Sequence, residues 1–301
     1  VELFDGVAAD HNAVADGFDS CRVPVSGALQ EFVDATYLGK ELVEAARREL
    51  AALVNRHADE GPGVLVLTGL PADVTADRRV LLRVSELLGS LLPQDREGTM
   101  VREVRDRGTS IGESVRARYS DSRFGGNLHT EGVEAPLPAP DFFTLLCIRQ
   151  STRGGALQFV HIRDVERALS ASPDVVATLR APFHFDRGGD QLAGEPPTIQ
   201  KPVLFAQRGR PAITYLRSYV ERGHEHPGVP PLTKRQRYAL DALDRVVDSG
   251  EFTCVGKLRE GELALFDNLS LLHGRTEFYD DPEHARLLLR TWIRRHPLDA
   301  A

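Results

Sequence analysis

The sequence predicts a mostly β protein, a sandwich or jelly-roll barrel with helices packed outside it. Three features carry that expectation. Beyond residue 95 short apolar runs alternate with Gly/Pro-rich connections. The helix-periodic segments gather before that point, and no internal repeat, low-complexity tract or linker divides the strand-rich part. Many short strands with regular turn signals are the mark of sandwiches and barrels.

Residues 1–35 mix Gly, Asp, Ala and single apolar residues and read as a loosely organised lead-in. Between Lys40 and Ala58, Leu42, Ala45, Ala46, Leu50, Leu53 and Val54 recur at helical spacing among charges, which predicts an amphipathic helix. It stops at Asp59-Glu60-Gly61-Pro62-Gly63. Val64 to Thr68 is a short β-branched run closed by Gly69, a buried strand. Thr75 is read as the cap of a second helix reaching about Leu92, before Pro93.

The strands that follow are expected at 99–104, 126–131, 141–149, 156–162, 182–186, 202–206, 212–216, 252–257, 262–267 and 286–294. One clear helix interrupts them, from the cap Thr233 to Asp248. The expected organisation is therefore one domain over 1–301. Residues up to about 95 form a helical part packing on the barrel, and about 96–297 form the barrel with one inserted helix near 233–248.

Composition is ordinary for a globular chain of 301 residues, 42% apolar and 27% charged. A net charge of −7 with scattered arginines argues against nucleic-acid binding, which calls for a basic face. Cys21, Cys147 and Cys254 have neither zinc nor redox spacing, and Cys147 lies inside the apolar run 142–148. A reducing cytoplasm fits them. No apolar run approaches the roughly 20 residues of a membrane span, and the N-terminus lacks the layout of a signal peptide. The chain starts at Val1 and is read as lacking its initiating methionine.

Three segments carry the chemistry. The first is Gly126-Asn127-Leu128-His129-Thr130-Glu131. On a strand, positions i and i+2 share a face, so an imidazole and a carboxylate would stand side by side. A further histidine would complete a two-histidine, one-carboxylate face suited to iron(II), with positions left open. The second segment, Glu260 to Arg275, runs through an apolar strand and an Asp267-Asn268 break to His273-Gly274. This puts His273 at a strand end or loop; taken alone, it reads rather as a core histidine bonded to backbone. The third is Arg286 to Arg294. As a strand it places Arg286, Leu288, Arg290 and Trp292 on one face. Two arginines turned into a covered interior need anionic partners, because a buried unpaired charge is costly, and the guanidinium fork matches a carboxylate. The plain alternative is an edge strand blunted by charge.

The order of these segments changes their weight. Together with Pro140-Asp141-Phe142-Phe143, Gly154-Gly155-Ala156 and Gly63 to Pro71, they resemble the iron(II)/2-oxoglutarate dioxygenases of the taurine dioxygenase and clavaminate synthase-like superfamily. The resemblance implies a double-stranded β-helix core. It implies iron(II) held by His129, Glu131 and His273, with 2-oxoglutarate and O2 as co-substrates and Arg286 on the distal carboxylate. Arg290 falls where relatives bind a substrate carboxylate. Hydroxylation of an unactivated C–H bond is the implied outcome, with desaturation, epoxidation or ring closure open to the same chemistry. Glu131 fills the position that related halogenases leave small for chloride, which disfavours halogenation.

The chain also departs from the family. A threonine that often helps bind 2-oxoglutarate after Gly154-Gly155-Ala156 is replaced by Leu157-Gln158, making Gln158 the candidate donor. Leu216 stands where arginine-hydroxylating relatives carry an aspartate, beside Arg217, which becomes a candidate contact for an acidic substrate group. The expected substrate is a small molecule, an amino acid or peptide-derived metabolite, free or carrier-linked, in bacterial natural-product biosynthesis.

Rival sites are His184-Phe185-Asp186, which lacks the neighbouring Pro-Asp-aromatic strand, and His224-Glu225-His226-Pro227, a polar loop placed to cover a barrel mouth. Tyr215, Tyr219 and Trp292 read as packing residues. A metal-dependent hydrolase with the same three ligands, or a non-catalytic binding module on the same fold, are the alternatives from other classes.

Overall fold

The computed structural model describes residues 17–71, 78–109, 118–281 and 283–295. Residues 17–35 are more ordered than the composition of the lead-in predicts, and the rest of that stretch lies outside the described residues. Strand β1 (Arg22–Pro24) leads into α1 (Gly27–Asp34), whose Leu29, Phe32 and Val33 fall at helical spacing and are buried. In α2 (Lys40–Val54) the inward face is Ala46, Leu50 and Val54, and a π-helical turn over Asn55–Asp59 carries the chain to the predicted stop. Strand β2 (Val64–Thr68) follows as expected.

The second predicted helix is shorter. Thr75, its expected cap, lies outside the described residues; α3 runs Arg79–Leu88, and the chain then becomes β3 (Gly89–Leu92). The switch falls on a glycine. A side-chain carbon there would collide with the Arg294 carbonyl, so the close approach to the last strand requires Gly89.

Strands β4 (Arg102–Val104), β5 (Phe142–Arg149), β6 (Arg153–Gly154) and β7 (Leu157–His161) come next, then α4 (Ile162–Leu169) and α5 (Pro173–Leu179). Strands β8 (Pro182–Asp186), β9 (Thr198–Pro202), β10 (Leu204–Gln207) and β11 (Arg210–Ile213) precede α6 (Arg217–Gly223) and α7 (Lys234–Val247). The chain closes with β12 (Cys254–Gly256), β13 (Leu263–Asp267), β14 (Leu271–Arg275), β15 (Phe278–Tyr279) and β16 (Leu287–Arg295). Helices α4, α5 and α6, of 8, 7 and 7 residues, escape the sequence pattern because two turns are too few to establish a period. Helix α7 is the predicted one. Thr233 accepts from the Gln236 amide while its own amide donates to Gln236 Oε1, a capping box.

The largest sheet is ordered β1-β2-β13-β5-β16-β3, with β4 also on β16. β1 and β2 are parallel, and the remaining pairs antiparallel. Opposite it stands the sheet β12-β7-β14. Alternation along each strand explains the near-continuous apolar runs. Leu65 and Leu67, Leu146, Leu263 and Leu265, and Leu289 and Ile293 face outward beneath α1, α2 and α3. Val64 and Val66, Phe143, Leu145, Ala264, Phe266, Leu288 and Trp292 face inward, against Leu157, Phe159 and Leu271 of the second sheet. The second sheet's other face, Val160 and Leu272, is covered by α4 to α7 and by Phe183 and Phe185 of β8. Each such Leu or Phe, fully buried, contributes about 1.5–3 kcal/mol. The site lies between the two sheets, where the inward face of β16 meets that of β14.

Candidate active site

The segment carrying His129 and Glu131 is not the strand that i, i+2 spacing predicts. Only His129 pairs, through a single antiparallel bridge to His273 in which each amide donates to the other's carbonyl at 2.8 Å. The next residues leave for other partners. The Thr130 amide donates to the Tyr215 carbonyl at 3.0 Å, and the Glu131 amide to Asn268 Oδ1 at 2.8 Å. Asn268, fully buried, also donates Nδ2 to the carbonyls of Glu131 and Pro140. The Asp-Asn break noticed in the sequence thus fixes the carboxylate's backbone. His273 is not at a strand end but in the middle of β14.

Candidate ligand atoms of His129, Glu131 and His273 lie within 4.8 Å of one another, the one such group among the described residues. The imidazole rings are 4.5 Å apart between centroids, and Phe143 lies 4.3 Å from the His273 ring. His129 Nδ1 meets the Asn127 carbonyl at 2.9 Å; donation there leaves Nε2 as the free lone pair. Burial, then the neighbouring His273, lowers the His129 pKa to about 4, so its ring is neutral near pH 7. Burial opposes ionisation of Glu131, but the Arg290 guanidinium and the His273 ring outweigh it and hold the carboxyl well below the usual range. Two imidazoles and one carboxylate are the donor set that suits a divalent metal such as iron(II). The buried His273 Nδ1 has no partner among the described residues.

Two chambers meet at this group. The inner one, about 510 Å3, reaches Leu145, Leu157, Gly274 and Arg286. Arg286 immediately precedes β16, and its amide is held by Asp280 Oδ1 at 2.9 Å. Arg286 is 1% exposed; its guanidinium lies over Phe278 at 4.9 Å and gives Nε to Gln150 Oε1 at 3.3 Å, while Nη1 has no partner among the described residues. Burial lowers its pKa to about 10, still well above neutrality. Arg275 beside it is not free in this way, its guanidinium being bonded to the carbonyls of Tyr119, Ser122 and Arg123.

The outer chamber, about 550 Å3, is lined by Arg118, Glu134, Leu216, Tyr219, Arg290 and Trp292 among others. Arg290 donates Nη1 to Glu131 Oε1 at 2.5 Å and Nε to Gln94 Oε1 at 2.8 Å, and Trp292 Nε1 reaches Glu131 Oε2 at 3.1 Å. Trp292 and Tyr219, read from sequence as packing, therefore face the site. Tyr215 is buried and donates to Asp244 Oδ1 at 2.5 Å, as a packing residue would.

Two expected contacts lie elsewhere. On β7 the inward positions are Leu157 and Phe159, so Gln158 shares the opposite face with Val160 and does not line the inner chamber. The amide on Arg286 is Gln150 instead. Arg217 opens α6 and is bound to Glu221, Asp241 and Asp244, pinning α6 to α7; it does not line the outer chamber. Its neighbours Leu216, Ser218 and Tyr219 do. The loop at His224 is not a chamber wall either. The His224 ring accepts from the His184 amide at 3.1 Å and meets the Pro230 carbonyl at 2.7 Å. His184 is bonded to Thr198 and Gln200, and Asp186 to Arg222 and His226, with no third ligand among the described residues converging on them.

Comparison with known proteins agrees with this geometry. The family model described as "Taurine catabolism dioxygenase TauD, TfdA family" matches residues 26–292. The chain belongs to that family. The dioxygenase is 30% identical over 280 residues to the L-asparagine oxygenase of Streptomyces coelicolor, covering 82% of this chain and 75% of that one. It is 25% identical over 254 residues to the FR-33289 synthase of Streptomyces rubellomurinus, covering 81% and 73%. Among solved structures, asparagine oxygenase in complex with Fe(II), 2S,3S-3-hydroxyasparagine and succinate superposes with a TM-score of 0.66 at 26% identity, over 91% of this chain and 93% of that one. The oxygenase OrfP in complex with Fe and alpha-ketoglutaric acid shares the fold, with a TM-score of 0.60 at 18% identity over 90% and 93%. The protein is a non-haem iron dioxygenase that uses iron(II), 2-oxoglutarate and O2. No helix among the described residues is long and apolar enough to cross a membrane.

Proposed function

We propose that this dioxygenase hydroxylates an unactivated C–H bond of an amino acid or small peptide-derived metabolite, free or carrier-linked, in bacterial natural-product biosynthesis. His129, Glu131 and His273 hold iron(II), Arg286 holds the distal carboxylate of 2-oxoglutarate, and Arg290 receives the substrate's carboxylate. The core is a double-stranded β-helix, and the cytoplasm suits its three widely spaced cysteines.

One observation carries the assignment: a three-donor metal group opens onto a chamber that ends at a buried arginine with an unpartnered nitrogen. A buried guanidinium without an anion is costly, and a carboxylate supplied by a co-substrate removes that cost. Iron(II) with 2-oxoglutarate and O2 supplies the oxidation, one oxygen atom going to the substrate carbon and the other to succinate as carbon dioxide leaves. The protein's own groups do the rest. The bond from His129 Nδ1 to Asn127 keeps Nε2 free, and Asn268 fixes the backbone of Glu131. Phe143, Leu145 and Leu157 form an apolar wall that limits water beside the metal group. Glu131 supplies the carboxylate that a halide would have to replace, so hydroxylation is favoured over halogenation.

The test is anaerobic titration with iron(II) and 2-oxoglutarate, following the weak visible charge-transfer band of the chelate. The band should form in wild type and in His184→Ala and be absent in His129→Ala. A wild-type protein that binds iron(II) without the band would overturn the assignment.

A further inference from the structure

The turn that follows the metal carboxylate carries a second one. Ala135 donates its amide to the Gly132 carbonyl at 3.1 Å, and Gly132 has φ 74°. From behind, the fully buried Lys201 donates Nζ to the Ala135 carbonyl at 2.8 Å and the Gly132 carbonyl at 3.4 Å. A turn fixed this way presents Glu134 to the outer chamber. Glu134 is only 9% exposed. Its Oε1 takes a long bond, 3.3 Å, from Arg118 Nη1, which is shared with the Gln94 carbonyl at 3.2 Å. Arg118 Nη2 is committed to Asp190. Glu134 Oε2 has no partner among the described residues.

Arg118 therefore serves two carboxylates, Glu134 and Asp190, and the Lys201 ammonium that faces Glu134 is itself committed to the Ala135 and Gly132 carbonyls. Arg222, the next cation on the wall, is already paired with Asp186 and stacked on Tyr219. Arg290, on the same chamber wall, becomes available for an anion once Glu131 turns to the metal. An ionised carboxylate only accepts hydrogen bonds, so a ligand reaching Oε2 must donate.

We propose that Glu134 is a specificity-determining residue that accepts a hydrogen bond from a cationic nitrogen of the substrate, whose carboxylate lies at Arg290. Leu216, standing in place of the aspartate of arginine-hydroxylating relatives, lines this chamber. The carboxylate comes from a different element, the turn after the metal motif. The inference rests on the amino-acid reading proposed above. The nitrogen is an α-ammonium or a side-chain ammonium; both have the same chemistry at Glu134.

The experiment is anaerobic calorimetry on protein loaded with iron(II) and 2-oxoglutarate, using four probes of one chain length: L-ornithine, L-norvaline, 5-aminopentanoate and pentanoate. Wild type should bind at least one ammonium-bearing probe at least tenfold more tightly than pentanoate. Glu134→Gln and Glu134→Asp should each weaken that probe about tenfold to a hundredfold, with pentanoate and 2-oxoglutarate unaffected. Loss on norvaline identifies the α-ammonium, and loss on 5-aminopentanoate the side-chain one. Equal affinities in wild type and Glu134→Gln, or an intact 2-oxoglutarate complex that binds no probe more tightly than pentanoate, would overturn the inference and leave the dioxygenase reading standing. Failure to form the 2-oxoglutarate complex at all would overturn both.

Discussion

Arg290 Nη1 sits 2.5 Å from Glu131 Oε1, so the arginine assigned to the substrate is engaged by the carboxylate assigned to the metal. The pair is buried, and each partner offsets the desolvation of the other. A metal ion competes directly for Glu131 and in doing so frees the guanidinium. Metal should therefore bind before substrate: a carboxylate substrate should bind the metal-free protein at least tenfold more weakly than the loaded one, by calorimetry. Arg290→Met should destabilise the metal-free protein by about 3 kcal/mol, and iron(II) should restore much of that in anaerobic urea denaturation. A variant as stable without metal as wild type would contradict the competition.

Arg286 is a different kind of arginine, with one nitrogen unpartnered and no carboxylate bonded to its guanidinium. Replacing it with methionine removes a buried charge and keeps most of the volume. Arg286→Met should lose about 2–5 kcal/mol of 2-oxoglutarate binding, read from the chelate band. The unliganded protein should be at least as stable as wild type. Normal 2-oxoglutarate affinity in this variant would remove Arg286 from the site.

Arg217 should behave in the opposite way. Because it ties α6 to Asp241 and Asp244 of α7, Arg217→Gln should cost about 1–2 kcal/mol of stability, with the substrate KM unchanged within about twofold. Thermal unfolding beside steady-state kinetics decides it. A selective rise in KM at unchanged stability would restore the substrate role expected from sequence.

Lys201 should make stability depend on pH. Burial lowers its pKa to about 7, against the opposing charge of Glu134. The unfolded chain, with an ordinary lysine near 10.4, holds the extra proton between the two values. Stability must then rise as pH increases from about 7 toward 10.4, by at most about 1.4 kcal/mol per unit, and fall to its low plateau below 7. Lys201→Met should lose that slope relative to wild type in urea titrations at pH 7, 8 and 9.

How much could be read in advance depended on whether a residue's meaning is local. His129, Glu131, His273, Arg286 and Arg290 were singled out by motif order, and the fold brings them to adjoining chambers; the apolar runs stood out by composition alone, because a strand covered on both faces has nothing polar to hide. Gln158 was wrong by a single pleat: strand phase decides which face a side chain takes, and Leu157 holds the inward one. Arg217 was misassigned because the chain becomes helical at that residue, a two-turn helix without a visible period. Glu134, Arg118, Gln94 and Gln150 carry no local signal. They are polar residues in turns and loops, and their convergence exists only once distant segments have packed.

The two histidines are joined by main-chain bonds in both directions, independent of their side chains. Strand β14 and the Asn268 clasp likewise owe nothing to an ion. The protein thus differs from metal-nucleated folds, in which binding energy is folding energy. Its scaffold should stand complete without metal, admit one ion and release it for another without unfolding, and keep its shape when a ligand side chain is replaced. Altering the metal or the chemistry here is then a matter of changing side chains on a frame that does not have to be rebuilt.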